Sequence, residues 1–469
     1  MDKKAKILAT LGPSIFKKNI INQLIRSGVD GFRINFSHNL TGIEKIVKII
    51  RDCEKLNAKP IAIVADLQGI KLRIGKILEN QVSLKKGDTF NFDLNKKIGS
   101  QSRVYLPYPE IFKKIKKSNK ILIDDGKFVF KIKKLTKNSI QTICQNDCII
   151  KNFKSIHIPG LEVDFDDLTA KDKRDISIAK KLGCNWIALS YVKNSKIIKQ
   201  TRKLIPQDTG IIAKVENKSA IKNIKDIIQT SDAIMVARGD LGVEIGDAAL
   251  VAVQKKLIAR SRQLNKIVIT ATQMMESMIS SPMPTRAEVM DVANAVLDGT
   301  DAVMLSAETA AGDFPEETVK AMANVCIGAE SHPSVKVSKH RLDARFTSVE
   351  ETIALSTMYA ANHLEGVKAI IALTESGATP KLMSRISSSL PILGLSRHET
   401  TLAKMALYRG VLPIYFDSTI YPADELAQKA LESLTTAGYL QSGDLVLMTK
   451  GDAMETIGGT NTCKVLIVA

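Results

Sequence analysis

Cysteine, tryptophan and long apolar runs are scarce in this chain of 469 residues. Six cysteines, of which only Cys144 and Cys148 are close in sequence, exclude a disulfide-rich secreted scaffold and indicate free thiols in a reducing compartment. No apolar run reaches the roughly 18 residues that a membrane helix needs, and no signal-peptide pattern opens the chain. We therefore expect a cytoplasmic protein with no membrane partner.

Aromatic residues are also sparse, at 5% of the chain, whereas positive charge is abundant. A formal net charge of +18 is typical of nucleic-acid-binding proteins. The excess is mostly lysine spread over the first 270 residues, and its densest run, 113–120, alternates with Ile and Ser instead of aromatic residues. We attribute it to compositional drift towards Lys, Ile and Asn, and expect no nucleic-acid partner.

The length and an ordinary content of 45% apolar residues predict two or three globular domains. Eight short apolar runs each end in polar residues, and most precede a helix-like segment. The runs are 5–12, 29–37, 60–66, 185–192, 210–217, 232–240, 266–273 and 301–308. Eight strand-then-helix units with near-continuous apolar strands predict an α/β protein built on a closed (β/α)8, or TIM, barrel.

Polar side chains recur at the carboxyl ends of these runs, where a barrel of this kind carries its chemistry. Lys214 and Glu216 are two residues apart and face the same way, and Asp240 ends the next run. A charge inside a buried strand costs several kcal/mol unless it is paired or bound to a metal. The pattern predicts one shared site that holds a divalent cation, with a purely structural ion network as the alternative.

Two segments do not fit a plain barrel. Residues 68–164 are too long for a strand-to-helix connection and carry short β-like runs, which predicts a small β-barrel lid domain inserted in the barrel. From residue 342 the alternation of helix and strand starts again and predicts a C-terminal α/β regulatory domain, 342–469. The catalytic barrel would then consist of residues 1–67 and 165–341.

Three further patterns concern phosphate chemistry. Arg33, Asn35 and Ser37 alternate on one face of a strand, and a guanidinium is well suited to bind phosphate. Thr272 places a hydroxyl at a strand end. The turn 374–379 combines hydroxyl groups with a glycine, which is typical of a phosphate-binding nest and equally of an ordinary helix cap.

Together these motifs resemble the pyruvate kinase family over essentially the whole chain. The barrel motifs are RINFSH (33–38), KVEN (214–217), MVARGDLGVE (235–244), ATQM (271–274), PTRAE (284–288) and DGTDAVMLS (298–306). TESG (374–377), SRH (396–398), ALYRG (406–410) and GTNT (459–462) are similar to the bacterial type that AMP or sugar phosphates activate.

The resemblance implies transfer of the phosphoryl group of phosphoenolpyruvate to ADP, giving pyruvate and ATP in the last step of glycolysis. Glu216 and Asp240 match the ligands of Mg²⁺, for which Mn²⁺ is an alternative. Lys214 matches the catalytic lysine, Arg33 would clamp the phosphoryl group, and the backbone N–H groups of Gly239 and Asp240 would bind the substrate carboxylate.

Further residues follow from the same resemblance. Thr272 matches the residue beside the path of the proton that converts the enol to pyruvate. The nucleotide would contact Arg73, His38 and Lys154. The effector AMP or a sugar phosphate would bind at Thr374, Ser376 and Thr379, and the family implies a homotetramer.

The loop after the third strand departs from the usual family pattern. Most members hold K⁺ with residues that match Asn35, Ser37, Asp66 and the carbonyl of Leu67, and they carry a glutamate where this chain has Lys71. Its ammonium group can occupy the position of the monovalent cation. We predict activity without K⁺.

Two alternatives remain at this point. A Mg²⁺-dependent pyruvate or oxaloacetate lyase on a barrel would also need carboxylates and an arginine, and dependence on ADP distinguishes it. An inactive, basic RNA-binding barrel would account for the net charge, and salt-sensitive binding of RNA would reveal it.

Overall fold

A computed structural model of the chain describes residues 3–38, 41–124, 126–161, 168–336, 345–452 and 457–469. Eight parallel strands close into a barrel in the order β1-β16-β15-β14-β13-β12-β3-β2. They are β1 (Lys6–Thr10), β2 (Gly31–Asn35), β3 (Ala62–Asp66), β12 (Trp186–Leu189), β13 (Gly210–Val215), β14 (Ala233–Ala237), β15 (Ile267–Ala271) and β16 (Ala302–Leu305). The predicted fold class is confirmed.

The barrel strands are short and buried on both faces, as near-continuous apolar runs predict. Each predicted run contains one strand, and β1, β3, β14 and β15 are buried at every residue. One run differs. The segment 232–240 leaves the sheet after Ala237, and Arg238 begins a helix. Asp240 therefore lies in the first turn of a helix instead of at a strand end.

Helices alternate with the barrel strands along the chain. They are α1 (Lys18–Arg26), α2 (Ile43–Asn57), α4 (Ala170–Lys181), α5 (Lys196–Arg202), α6 (Lys218–Lys222), α7 (Ile224–Thr230), α8 (Arg238–Ile245), α9 (Asp247–Gln263), α10 (Arg286–Leu297), α11 (Ala307–Ala310) and α12 (Pro315–Glu330). Capping boxes fix the starts of two of them, through Thr169 with Asp172 and Thr285 with Glu288.

The inserted segment forms a six-stranded sheet, in the order β11-β7-β8-β9-β5-β6, and a two-stranded sheet of β10 and β4. Its elements are β4 (Gln81–Leu84), β5 (Thr89–Asp93), β6 (Arg103–Tyr105), α3 (Pro109–Lys114), β7 (Lys120–Ile123), β8 (Phe128–Leu135), β9 (Ser139–Cys144), β10 (Cys148–Lys151) and β11 (Ile156–His157). Phe90, Phe92 and Phe130 pack together in its core.

The C-terminal region is a five-stranded sheet flanked by helices, in the order β19-β18-β17-β20-β21. The strands are β17 (Val367–Leu373), β18 (Ile392–Ser396), β19 (Val411–Tyr415), β20 (Leu445–Gly451) and β21 (Thr460–Ile467). The helices are α13 (Val349–His363), α14 (Ala378–Met383), α15 (Glu399–Met405) and α16 (Leu426–Thr436). Only β21 is antiparallel to its neighbour.

The exact domain boundaries stay predictions, because 164/165 and 341/342 lie outside the described residues. Among the helices of the described ranges, none is long and apolar enough to cross a membrane.

Candidate active site

Lys214 lies at the centre of a group of polar side chains at the carboxyl ends of the barrel strands. Its Nζ atom is 2.8 Å from Ser190 Oγ, 3.0 Å from Glu216 Oε1 and 3.2 Å from Asp66 Oδ1. Burial alone would lower the pKa of Lys214, but the carboxylates of Asp66 and Glu216 outweigh it and raise that pKa. The ammonium group is therefore charged at neutral pH.

Asp66 links this lysine to Arg33 on the neighbouring strand β2. Arg33 Nε donates to Asp66 Oδ2 at 2.6 Å, and Arg33 Nη1 donates to Thr10 Oγ1 at 3.2 Å. Burial would raise the pKa of Asp66, but the cations of Lys214 and Arg33 outweigh burial and lower it. Asp66 is thus an ionised carboxylate that holds two cations, and both point to the same end of the barrel.

Glu216 and Asp240 form the acidic part of the cluster, and Tyr191 contacts both. The Tyr191 N–H donates to Glu216 Oε2 at 2.5 Å, and its hydroxyl donates to Asp240 Oδ1 at 3.3 Å. Burial raises the pKa of Glu216; Lys214 opposes this shift and the charge of Asp240 reinforces it. The ammonium group of Lys214 therefore offsets the burial of the Glu216 carboxylate only in part. A further cation at this position would stabilise the carboxylate.

A cavity of about 340 Å³ opens beside this cluster, between the barrel and the inserted domain. Glu216 and Asp240 line it from the barrel, and Lys71 and Ser155 line it from the inserted segment. Lys71 Nζ lies 3.7 Å from Asp240 Oδ1. The acidic pair therefore faces a space that can hold a small molecule, with a lysine across it.

The residues predicted for the monovalent-cation pocket are near each other but already have protein partners. Asn35 Oδ1 accepts a hydrogen bond from the Ser37 N–H at 3.1 Å. The carbonyl of Leu67 accepts one from Ser190 Oγ at 2.8 Å. Asp66 carries the only carboxylate of this predicted set, and two cationic side chains contact it.

Thr272 and Gly239 meet at the ends of β15 and β14. The Gly239 N–H donates to Thr272 Oγ1 at 2.8 Å, so this predicted carboxylate-binding donor has a protein acceptor here. Thr272 has φ of +69°, a strained value for a β-branched residue. Arg238 stabilises this turn, because its guanidinium donates to Thr272 O at 2.7 Å and pairs with Asp291 at 2.7 Å.

The three residues predicted to bind nucleotide come from two domains. Arg73 and Lys154 lie on adjoining segments of the inserted domain, where Arg73 Nη1 donates to Phe153 O at 2.8 Å. Lys154 Nζ pairs with Asp124 Oδ1 at 2.6 Å. His38 is exposed on the barrel, in the turn after β2.

Sequence reasoning missed the contact between the lid and α8. His157 Nε2, on β11, lies 2.5 Å from Glu244 Oε2, and both residues line the cavity. The Gly160 N–H donates to Glu244 Oε1 at 3.4 Å. Glu244 ends the motif MVARGDLGVE identified in the sequence, but no local pattern pairs positions 87 residues apart.

The predicted effector residues lie in the C-terminal domain. Thr374, Ser376 and Thr379 line a small cavity of about 50 Å³. Thr374 Oγ1 accepts a hydrogen bond from the Gly377 N–H at 2.9 Å, so it acts as a cap in this turn. Thr379 is buried and donates to Glu350 Oε1 at 2.7 Å.

Comparison with known proteins gives the same family for both large parts of the chain. Residues 2–319 match the family model described as pyruvate kinase, barrel domain, and residues 351–466 match pyruvate kinase, alpha/beta domain. The chain is 49% identical to the pyruvate kinase of Buchnera aphidicola subsp. Acyrthosiphon pisum and 48% identical to pyruvate kinase II of Salmonella typhimurium. Each match covers 99% of both chains.

Proposed function

Since the chain belongs to the pyruvate kinase family and is a phosphotransferase that converts phosphoenolpyruvate and ADP to pyruvate and ATP, we propose that the cluster around Lys214 is its active site. The observation that carries this proposal is the position of the Lys214 ammonium. It lies within 3.2 Å of Asp66 and Glu216, beside a cavity between the barrel and the lid.

Lys214 and Arg33 supply the positive charge that phosphoryl transfer needs. Negative charge spreads over the phosphoryl oxygens in the transition state, and fixed cations stabilise it more than they stabilise the bound substrate. Asp66 holds both cations in place, at 2.6 Å from Arg33 and 3.2 Å from Lys214. Lys214 also neutralises the enolate oxygen that forms when the phosphoryl group leaves.

The family uses Mg²⁺, and the residues of this chain fit such an ion. Glu216 and Asp240 present hard carboxylate oxygens, and burial raises the pKa of Glu216 because Lys214 offsets the lost solvation only in part. Glu216 and Asp240 would hold the ion, which would supply positive charge against the negative oxygens of the substrate. Mn²⁺ would serve as a replacement, because it prefers the same oxygen ligands.

We assign Thr272 to the path of the proton that converts the enol to pyruvate. A threonine hydroxyl is a weak acid, so water must relay the proton to it. The strained turn at Thr272 is held by Arg238, which fixes the hydroxyl beside Gly239. Arg73, Lys154 and His38 would contact ADP from the two sides of the cleft, and the lid would exclude water during transfer.

We propose that the reaction needs no K⁺. The support is the charge of Asp66, which two protein cations already balance, and the presence of Lys71 at the acidic pair. The test is pyruvate formation from phosphoenolpyruvate, ADP and Mg²⁺ without K⁺, repeated with K⁺ added. Rapid ADP-dependent turnover in both buffers is expected, and ADP dependence also excludes a lyase.

The variant Lys71→Glu tests the role of the lysine directly. We expect it to lose activity without K⁺ and to regain it when K⁺ is added, because the added carboxylate restores the need for a cation. Lys71→Met controls for loss of the side chain. Activation of the unmodified enzyme by K⁺ of tenfold or more at saturating substrates would contradict the proposal.

We further propose a cytoplasmic homotetramer that AMP or a sugar phosphate activates through Thr374, Ser376 and Thr379. Lys450 lines the same cavity and could pair with a phosphate, although Glu350 lies there as well. Titration of AMP and ribose 5-phosphate at subsaturating phosphoenolpyruvate tests the effector, and a flat response contradicts it. Sedimentation in solution tests the tetramer.

A further inference from the structure

The positive charge of the chain is concentrated in the inserted domain. Residues 68–164 contain 20 Lys and Arg and 9 Asp and Glu, a net charge of +11 in 97 residues, whereas the other 372 residues together carry +7. A uniform compositional drift would distribute the excess evenly along the chain. The inserted domain therefore has a charge of its own that the drift does not explain.

Part of this charge forms one surface, which we call the lysine face: Lys120, Lys127 and Lys131. Lys120 on β7 and Lys131 on β8 are directly opposite each other in antiparallel pairing. Like charges at such positions destabilise a sheet. All three side chains are exposed and line a shallow depression with Gln145 and Asn146. Within the described ranges, no carboxylate forms an ion pair with them.

The lysine face continues towards the active-site cavity on the same side of the sheet. Lys120 and Leu122 are two residues apart and share a face, and Leu122 is paired with His157 on β11. His157 lines the active-site cavity and contacts Glu244 of the barrel. The turn at Gly126 packs against Val243 of the barrel. The basic surface thus borders the entrance to the catalytic cleft.

We propose that the lysine face attracts the anionic substrates phosphoenolpyruvate and ADP and guides them to the active site. This inference rests on the proposed function, because both substrates carry several negative charges at neutral pH. A cleft bordered by charge of one sign raises the local concentration of an oppositely charged substrate and its association rate, by about 10-fold to 10³-fold in favourable cases.

The test compares the unmodified enzyme with the triple variant Lys120→Gln, Lys127→Gln, Lys131→Gln in steady-state kinetics. Tetramethylammonium chloride sets the ionic strength, so that K⁺ plays no part. At about 0.01 M salt, where charges act over roughly 30 Å, we expect kcat/KM for both substrates to fall by about threefold to tenfold. The change should lie in KM, with kcat unchanged. At about 1 M salt, where that range is roughly 3 Å, the two proteins should converge.

A matched control removes the same charge elsewhere. Lys55, Lys180 and Lys181 are exposed in the last turns of α2 and α4. The helices run opposite to the strands, so these turns lie at the end of the barrel away from the active site. Lys55→Gln, Lys180→Gln, Lys181→Gln should leave kcat/KM nearly unchanged at every salt concentration.

Three outcomes would overturn the inference. One is equal loss of kcat/KM in both triple variants, which would assign the effect to net charge alone. The second is no loss in the lid variant at low salt. The third is a fall in kcat, or a loss that high salt does not remove. Absence of turnover in the unmodified enzyme would instead refute the proposed function itself.

Discussion

Both ends of the barrel carry buried charged residues, but the two ends differ in how completely these charges are paired. At the carboxyl end, Lys214, Asp66 and Glu216 lie beside an open cavity, and the raised pKa of Glu216 indicates incomplete balance of charge. At the amino end, Asp301 is fully buried and forms a bidentate pair with Arg385, whose side chain is 1% exposed. A buried charge with complete pairing is structural, and one that remains short of partners beside a cavity is a candidate for chemistry.

The amino end uses a repeated arrangement. Asp30, Asp232 and Asp301 each precede a strand, and each carboxylate accepts the N–H of a residue at the start of the adjacent strand, at 2.8–2.9 Å. Asn185 does the same for Ile63 at 2.9 Å. Polar residues at one end of every strand are therefore not sufficient to indicate an active site, because the opposite end has a comparable set.

The same end of the barrel binds the C-terminal domain. Arg385, which follows α14, donates to Asp301 and to the carbonyl of Lys266. The Arg409 N–H also donates to Asp301, and the Arg409 side chain pairs with Glu330 at 3.3 Å. The charges at this end thus hold two domains together.

The largest expected effect concerns the carboxyl end of the barrel. Lys214→Met should lower kcat by about 10³-fold or more, because it removes the cation that we propose to balance charge on the transferring phosphoryl group. Steady-state kinetics at saturating substrates measures this, with Lys214→Arg as the charge-preserving control. A kcat within tenfold of the unmodified enzyme would remove the distinction between the two ends.

The second prediction concerns the amino end of the barrel, where Arg385 pairs with Asp301. Arg385→Met should lower the free energy of unfolding by about 3–5 kcal/mol, because Asp301 would remain buried without its main partner. The kcat of the protein that stays folded should change less than twofold. Urea unfolding checks the first statement and kinetics the second.

Arg397→Met is the matched control, because its pair with Glu375 is 25% and 17% exposed and should contribute no more than about 1 kcal/mol. Similar destabilisation by the two variants would mean that burial does not set the strength of these pairs.

The smallest expected effect concerns pH. Lys6 is buried at the amino end, where its Nζ donates to Val411 O at 2.7 Å, and burial lowers its pKa to about 8. Between pH 8 and 10.5 the unfolded chain binds more protons at this residue than the folded protein does, so its contribution to stability rises with pH. At about 1.4 kcal/mol per pKa unit, the rise is at most about 3–4 kcal/mol.

Lys6→Met removes this titration. The difference in unfolding free energy between the two proteins should therefore change between pH 7.5 and pH 10, in favour of the unmodified protein at high pH. Urea unfolding at both values measures it, and groups that titrate in both proteins cancel. A constant difference would contradict this, because it would show that the pKa of Lys6 is the same in the folded and the unfolded protein.

The sequence predicted the barrel well, because its apolar runs and polar ends repeat with a regular period. It also predicted that Lys214, Glu216 and Asp240 come together, although Asp240 arrives from the first turn of α8 and not from a strand. The contact of His157 with Glu244 and the strained turn at Thr272 were not predictable, since each depends on how distant segments pack.

The linear order of residues was sufficient for the fold class, the family resemblance and the charges at strand ends, because these depend on local periodicity and short motifs. Which charges are balanced was decided only by the tertiary structure. Asp66 and Asp301 are both aspartates at the ends of barrel strands. Asp66 lies near the cavity of the proposed active site, whereas Asp301 is buried against Arg385. Electrostatic energy depends on distance and burial in three dimensions, and the sequence specifies neither directly.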